Sequence, residues 1–142
     1  MADTTGSSSV NKEILIKKLG LQQVSNTTIF RKGNYFVLSP SVQNNYRWFD
    51  LRKRNLDRFS EEVHEGYLLI RYLDKFLLTN LNNFAEKMLP LDKYVMTQSI
   101  GIHWKFNIQH INDNYVIVNR QNKDLTYEIK EGSVEDLRNT LI

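Results

Sequence analysis

An α+β fold, with a mostly antiparallel, barrel-like β-sheet and two or three short helices, is predicted by three observations. Gly101 to Gln109 (GIHWKFNIQ) alternates, placing Ile102, Trp104, Phe106 and Ile108 on one face and His103, Lys105 and Asn107 on the other. GYLLIRY and KFLLT are apolar runs separated only by Leu73-Asp74, the pattern of a central hairpin covered on both faces. Two other segments, Val10 to Leu21 and Leu81 to Leu89, repeat their apolar residues at helical spacing.

The chain has 142 residues, 41% of them hydrophobic and 25% charged, enough for a single domain with its own core. The absence of cysteine excludes a disulfide framework, thiolate metal ligands and a cysteine nucleophile. No apolar run approaches the roughly 20 residues of a membrane helix, and MADTTGSSSV lacks the basic and apolar regions of a secretory signal. These features lead us to expect a soluble, cytoplasmic protein with no membrane partner. Residues 1–9 are small and polar and are expected to form a disordered tail, leaving 10–142 as one domain.

In chain order, Ile14, Leu15 and Leu19 mark a short first helix that ends at Gly20, with Lys17 and Lys18 suited to its C-terminal dipole. Thr27 to Phe30 and Asn34 to Leu38 read as strands joined by Arg31-Lys32-Gly33-Asn34, a hairpin tip carrying two cations. Pro40 ends the second strand, and Ser39 to Asn45 has the composition of a loop. Tyr46 to Lys53 reads as a strand with Tyr46, Trp48, Asp50 and Arg52 on one face and Phe49 and Leu51 buried on the other. A helix from Asn55 onward is equally compatible with the end of that segment. Arg71 lies inside the apolar hairpin, so it must either reach the surface or meet a carboxylate, and a salt bridge is the simpler expectation. Asn80 is a good N-cap for the helix that Pro90 terminates. Tyr115 to Val118 and Leu125 to Ile129 form a further pair of strands, and Ser133 caps a last helical turn.

The functional signal lies in Asn44 to Ser60, NNYRWFDLRKRNLDRFS. Arg47, Arg52, Lys53, Arg54 and Arg58 against Asp50 and Asp57 give it the net charge of +3 that the whole chain carries. Arginine forks pair with phosphates and base edges, and Tyr46 and Trp48 offer flat faces on which a base can stack. A solvated face whose aromatics belong to the core would have the same composition. The sequence pI near 9.1 is too mild to indicate a chromatin-like or membrane-surface coat.

Other chemistry is sparsely signalled. No phosphate-binding glycine loop, dinucleotide fingerprint, H-E-x-x-H or G-x-S-x-G occurs, and no cofactor is expected. The histidines are His64, His103 and His110, and on one strand His103 and His110 face opposite sides, which is poor geometry for a shared metal. Asp113 with Glu128-Ile129-Lys130 has the spacing of the carboxylates and lysine that hold Mg²⁺ in PD-(D/E)xK nucleases.

YRWFDLRKRNLDRF, GYLLIRYLDKFLL and the helix at Leu81 together resemble the DNA-recognition domains of bacterial restriction systems, over about Phe36 to Leu89. These are the B3-like or PUA-like modules attached to type II and McrB-type, modification-dependent endonucleases. The resemblance implies a β-barrel with short helices, recognition by loops and strands that bracket the DNA groove, and a nuclease or motor as partner domain or subunit. No individual residue is carried over from it.

The combined expectation is a non-catalytic module that senses sequence or modification in double-stranded DNA. Its contacts would be Arg47, Arg52, Lys53, Arg54 and Arg58, Arg31 and Lys32 at the hairpin tip, and Tyr46 or Trp48 as a stacking surface. The alternatives are a small Mg²⁺-dependent nuclease built on Asp113, Glu128 and Lys130, and a protein-interaction or inhibitor domain using the same aromatic and arginine surface.

Overall fold

A computed structural model describes residues 11–43 and 47–142; the expected tail over 1–9 and the candidate contact Tyr46 lie outside the described residues. The first helix, α1 (Ile14–Lys18), is wound in π form, and Gly20 follows it at φ 73°, the left-handed conformation that glycine adopts most cheaply. Next come strands β1 (Gln22–Gln23), β2 (Ile29–Lys32), β3 (Tyr35–Leu38), β4 (Ser41–Val42) and β5 (Trp48–Arg52). A single turn of helix, α2 (Lys53–Leu56), separates them from the hairpin β6 (Glu65–Tyr72) and β7 (Lys75–Asn80). Helix α3 (Leu81–Met88), β8 (Val95–Thr97), β9 (Gly101–Ile111), β10 (Asn114–Asn119), β11 (Thr126–Gly132) and α4 (Val134–Thr140) complete the chain.

The fold is α+β with a mostly antiparallel sheet. The strand path runs β1-β2-β3-β6-β7-β11-β10-β9-β5, with β4 added to β6 and β8 to β9, and among the described residues only the β3–β6 and β4–β6 pairings are parallel. No ladder joins β1 to β5 among the described residues, so the sheet is not closed by hydrogen bonds. Among the described residues there are four helices where two or three were expected, because the tail of the basic segment folds as α2.

Two apolar layers follow from the sequence pattern. The main core takes inward-facing residues from β2 through β11, including Phe36, Leu68, Phe84 on α3, Trp104, Phe106 and Ile117. A second layer of Leu15, Leu19, Phe30, Val37, Leu69 and Leu137 lies where α1 and α4 cover the other face of β2, β3, β6 and β7. That explains why GYLLIRY is nearly all apolar, since strands covered on both faces have no solvated side to alternate with. The helix ends are satisfied locally. The Asn80 side chain accepts the Asn83 amide at 3.0 Å, and Ser133 with Asp136 forms a reciprocal capping box on α4.

Several local expectations change. The strand expected from Thr27 starts at Ile29 and runs on through Arg31 and Lys32, so the tip is Gly33-Asn34, where Gly33 sits at φ 57°. Ser39 to Asn45 is not all loop, because Ser41 and Val42 pair with Arg71 and Tyr72 as β4. Arg71 neither reaches solvent nor meets a carboxylate among the described residues. It is 5% exposed, donates from Nε to Ser39 Oγ at 3.1 Å and from Nη2 to the Ser39 carbonyl at 2.9 Å, and lies over the Phe30 ring. Burial pushes its guanidinium down to about 10. His103, expected on an open face, is buried because β5 and β8 flank it on both sides of β9, and its Nδ1 pairs with the Gly101 carbonyl at 2.9 Å.

The β5 alternation is as read: Phe49 and Leu51 are buried, while Trp48, Asp50 and Arg52 are half-buried on the other face. Phe49 stacks on Phe106 across the ladder with ring centroids 5.1 Å apart. Beyond α2, Phe59 folds back onto the core, and a Cβ placed on Gly66 would come within 2.6 Å of its ring. Glycine at the second position of β6 therefore makes the space that anchors the segment after α2. Phe49→Ala should cost about 3 to 5 kcal/mol of stability and Gly66→Ala about 1 to 3 kcal/mol, whereas Trp48→Ala should cost no more than about 1 kcal/mol; urea unfolding of the three variants checks the ranking.

Candidate nucleic-acid interface

A cleft of about 700 Å³ opens where the two ends of the sheet face each other. One wall is the β1–β2 loop, Ser25 to Thr28, and the passage from β3 into β4 contributes Pro40 and Ser41. The other wall is β5 and α2, which present Trp48, Asp50, Arg52, Arg54, Asn55 and Arg58. Three guanidiniums against one carboxylate make the cleft electropositive.

The pleat of β5 accounts for this grouping. Burying Phe49 and Leu51 turns Trp48, Asp50 and Arg52 to the opposite face. Leaving the strand, the chain enters α2, whose single turn carries Arg54 and Asn55, and Arg58 follows within three residues. The loop opposite is held tightly: the Thr27 hydroxyl donates to the Val24 carbonyl at 2.7 Å, Gln23 Nε2 donates to the Thr27 carbonyl at 2.9 Å, and Asn26 takes φ 60°.

The cations differ in how they are engaged. The Arg52 and Arg58 guanidiniums make no hydrogen bond or ion pair among the described residues, although both line the cleft. Arg54 makes one hydrogen bond, from Nη2 to the Ser99 carbonyl at 3.2 Å. Lys53 is turned away into an exposed pair with Asp57 at 2.9 Å, a contact between helix neighbours worth about 0.2 to 0.5 kcal/mol. Arg47 is exposed at φ 55° and lies outside the cleft lining.

Arg31 and Lys32, expected as free cations at a hairpin tip, are strand residues engaged elsewhere. Arg31 donates to the carbonyls of Tyr35 and Gly33 and lies over the Phe36 ring. Burial, and secondarily the Arg31 charge, hold His64 below the usual imidazole range. Lys32 Nζ donates to the Leu141 carbonyl at 2.8 Å and so ties β2 to the end of the chain. The structure thus brings Trp48, Arg52, Arg54 and Arg58 together and sends Arg31, Lys32, Arg47 and Lys53 to other surroundings.

The two tryptophans have separate roles. Trp104 is buried, and its indole N–H donates to the Pro90 carbonyl at 2.9 Å. Trp48 is half-buried, with the Lys105 ammonium 5.3 Å from the ring centroid. Lys105, Asn55 and the Ser25 to Thr28 loop were not anticipated from the sequence. The VSNTT run is polar enough to mark the turn, and Lys105 falls on the outward parity of GIHWKFNIQ, but no local pattern shows that either meets β5.

The carboxylates weighed for a metal do not gather. Asp113 sits at φ 68° in the β9–β10 turn, Glu128 and Lys130 are exposed on β11, and no group of three metal-ligating side chains occurs among the described residues. No helix among the described residues is long and apolar enough to cross a membrane. No protein-family model, curated protein or solved structure matches the chain.

Because Arg52 and Arg58 contribute no internal bonds, Arg52→Ala and Arg58→Ala should each change folding stability by less than about 0.5 kcal/mol, as read from thermal melts. A larger loss would mean that they brace the fold.

Proposed function

We propose that the cleft is the contact surface of a DNA-binding module, with Arg52, Arg54 and Arg58 meeting phosphates and Trp48 offering a face on which an unstacked base can lie. The observation that carries this reading is the convergence, on one concave surface, of Trp48 with two guanidiniums that have no partner among the described residues. Intramolecular partners are what a purely structural arginine acquires, as Arg71 does. A cation left open in a cleft beside an aromatic ring has the chemistry of a phosphate and base contact.

In this proposal the module belongs to a restriction or defence system in the cytoplasm. It binds double-stranded DNA and reads sequence or modification at one displaced base, while a nuclease or motor in another domain or subunit performs any chemistry. The sheet acts as a barrel-like scaffold whose open seam is the site. Phosphate contacts would set affinity and register, and the cleft would supply discrimination.

The test is direct binding to double-stranded DNA, single-stranded DNA and RNA at two salt concentrations. Duplex DNA should bind with an affinity that falls steeply with salt, because each neutralised phosphate releases condensed counterions. Replacing Arg52 and Arg58 together with Ala should weaken binding at low salt and reduce the slope of log K against log salt by up to about 1.8, from about 0.9 per phosphate lost. An unchanged slope would remove this cleft from the interface.

A further inference from the structure

We propose that the cleft seats one unstacked guanine, lying on Trp48 and read along its hydrogen-bonding edge by Asp50 and Asn55; this rests on the nucleic-acid reading of the same cleft. Two observations carry the assignment. Asn55 is only 9% exposed, lines the cleft, and has a side-chain amide with no hydrogen-bond partner among the described residues. Buried amides are ordinarily bonded, so one left open toward a cleft is a donor and acceptor pair available to whatever enters. The second is Asp50. Three arginines line the same cleft, yet Asp50 forms no ion pair or hydrogen bond among the described residues. The strand that aims Trp48 and Arg52 into the cleft aims this carboxylate there too.

An ionised carboxylate offers acceptors only and is best satisfied by two donors side by side. Among the four DNA bases guanine alone presents that pair, N1–H and the 2-amino group, on one edge with the O6 acceptor beside them. Asp50 would accept from both donors, and the Asn55 amide would donate to O6. Adenine and cytosine would turn a ring-nitrogen lone pair toward Asp50, and thymine has one N–H between two carbonyls. An acceptor facing an acceptor in a half-buried site is a strong bar to binding. In duplex DNA this guanine edge is occupied by cytosine, so the base must be single-stranded or displaced from the helix to be read. Arg52, Arg54 and Arg58 then meet the flanking phosphates.

The experiment is fluorescence anisotropy of the full chain with duplexes of one sequence carrying a single unpaired central base: guanine, hypoxanthine (the base of inosine), adenine, cytosine or thymine. Guanine should bind about tenfold more tightly than hypoxanthine, which lacks only the 2-amino group, within the range for one bidentate contact. Asp50→Asn keeps the side-chain shape while replacing one acceptor by a donor. It should erase the preference for guanine over hypoxanthine without flattening the salt slope, with a thermal melt confirming that the variant is folded. Equal binding of guanine and hypoxanthine, or an undiminished preference in Asp50→Asn, overturns the guanine assignment. If every duplex binds alike with a steep salt dependence, only that assignment falls, whereas if none binds at any salt the nucleic-acid reading falls with it.

Discussion

The stacking of Phe49 on Phe106 across the β5–β9 ladder is the contact on which the candidate site depends. It fixes the register of β5 and, with Leu51 buried two residues on, commits one face of that strand to the core. Because side chains on a strand alternate, Trp48, Asp50 and Arg52 are then placed on the other face without any further interaction to hold them there. A slip of one residue would bury an aspartate and an arginine and expose two large apolar groups. Phe106 is itself held edge-on by Phe84 of α3, so the core fixes the orientation of the site.

The place of the cleft follows from the sheet. β2, β3, β6 and β7 are covered on both faces, by the main core on one and by α1 and α4 on the other. The ends of the sheet are different, since β1 and β5 lack a mutual ladder and a cleft fills the space between their flanking segments. Charge is distributed accordingly. Arg71 in the covered region is bonded to Ser39, Lys32 to Leu141 and Arg31 to its own turn, whereas Arg52 and Arg58 at the seam have no partner among the described residues.

Much of this was legible in the sequence wherever one period dominated. The period-two pattern of WFDLR identified Phe49 and Leu51 as core, the apolar GYLLIRY and KFLLT identified a hairpin covered on both faces, and Asn80 and Ser133 announced their helices. What could not be read was set by distant partners. The Arg31-Lys32 pair looks like a hairpin tip because Gly33 and Asn34 suit any turn, and its bonds to Tyr35 and Leu141 depend on tertiary placement. Arg71 looks as though it needs a carboxylate, yet Ser39, between β3 and β4, supplies a hydroxyl and a carbonyl in its stead. Of the basic cluster, charge alone gave no way to separate Arg52 and Arg58, which line the cleft, from Lys53, which an aspartate four residues on draws away.

Backbone amide and indole N–H resonances followed while duplex DNA is added give the most direct test of the cleft as a DNA contact surface. Trp48 and Trp104 report independently, since one lines the cleft and the other is buried with its N–H bonded to Pro90. If the cleft binds DNA, the Trp48 indole and the amides of 25–28 and 52–58 shift together and saturably, with the Trp104 indole unmoved. Shifts concentrated at the β9–β10 turn around Asp113, or none at Trp48, would contradict it.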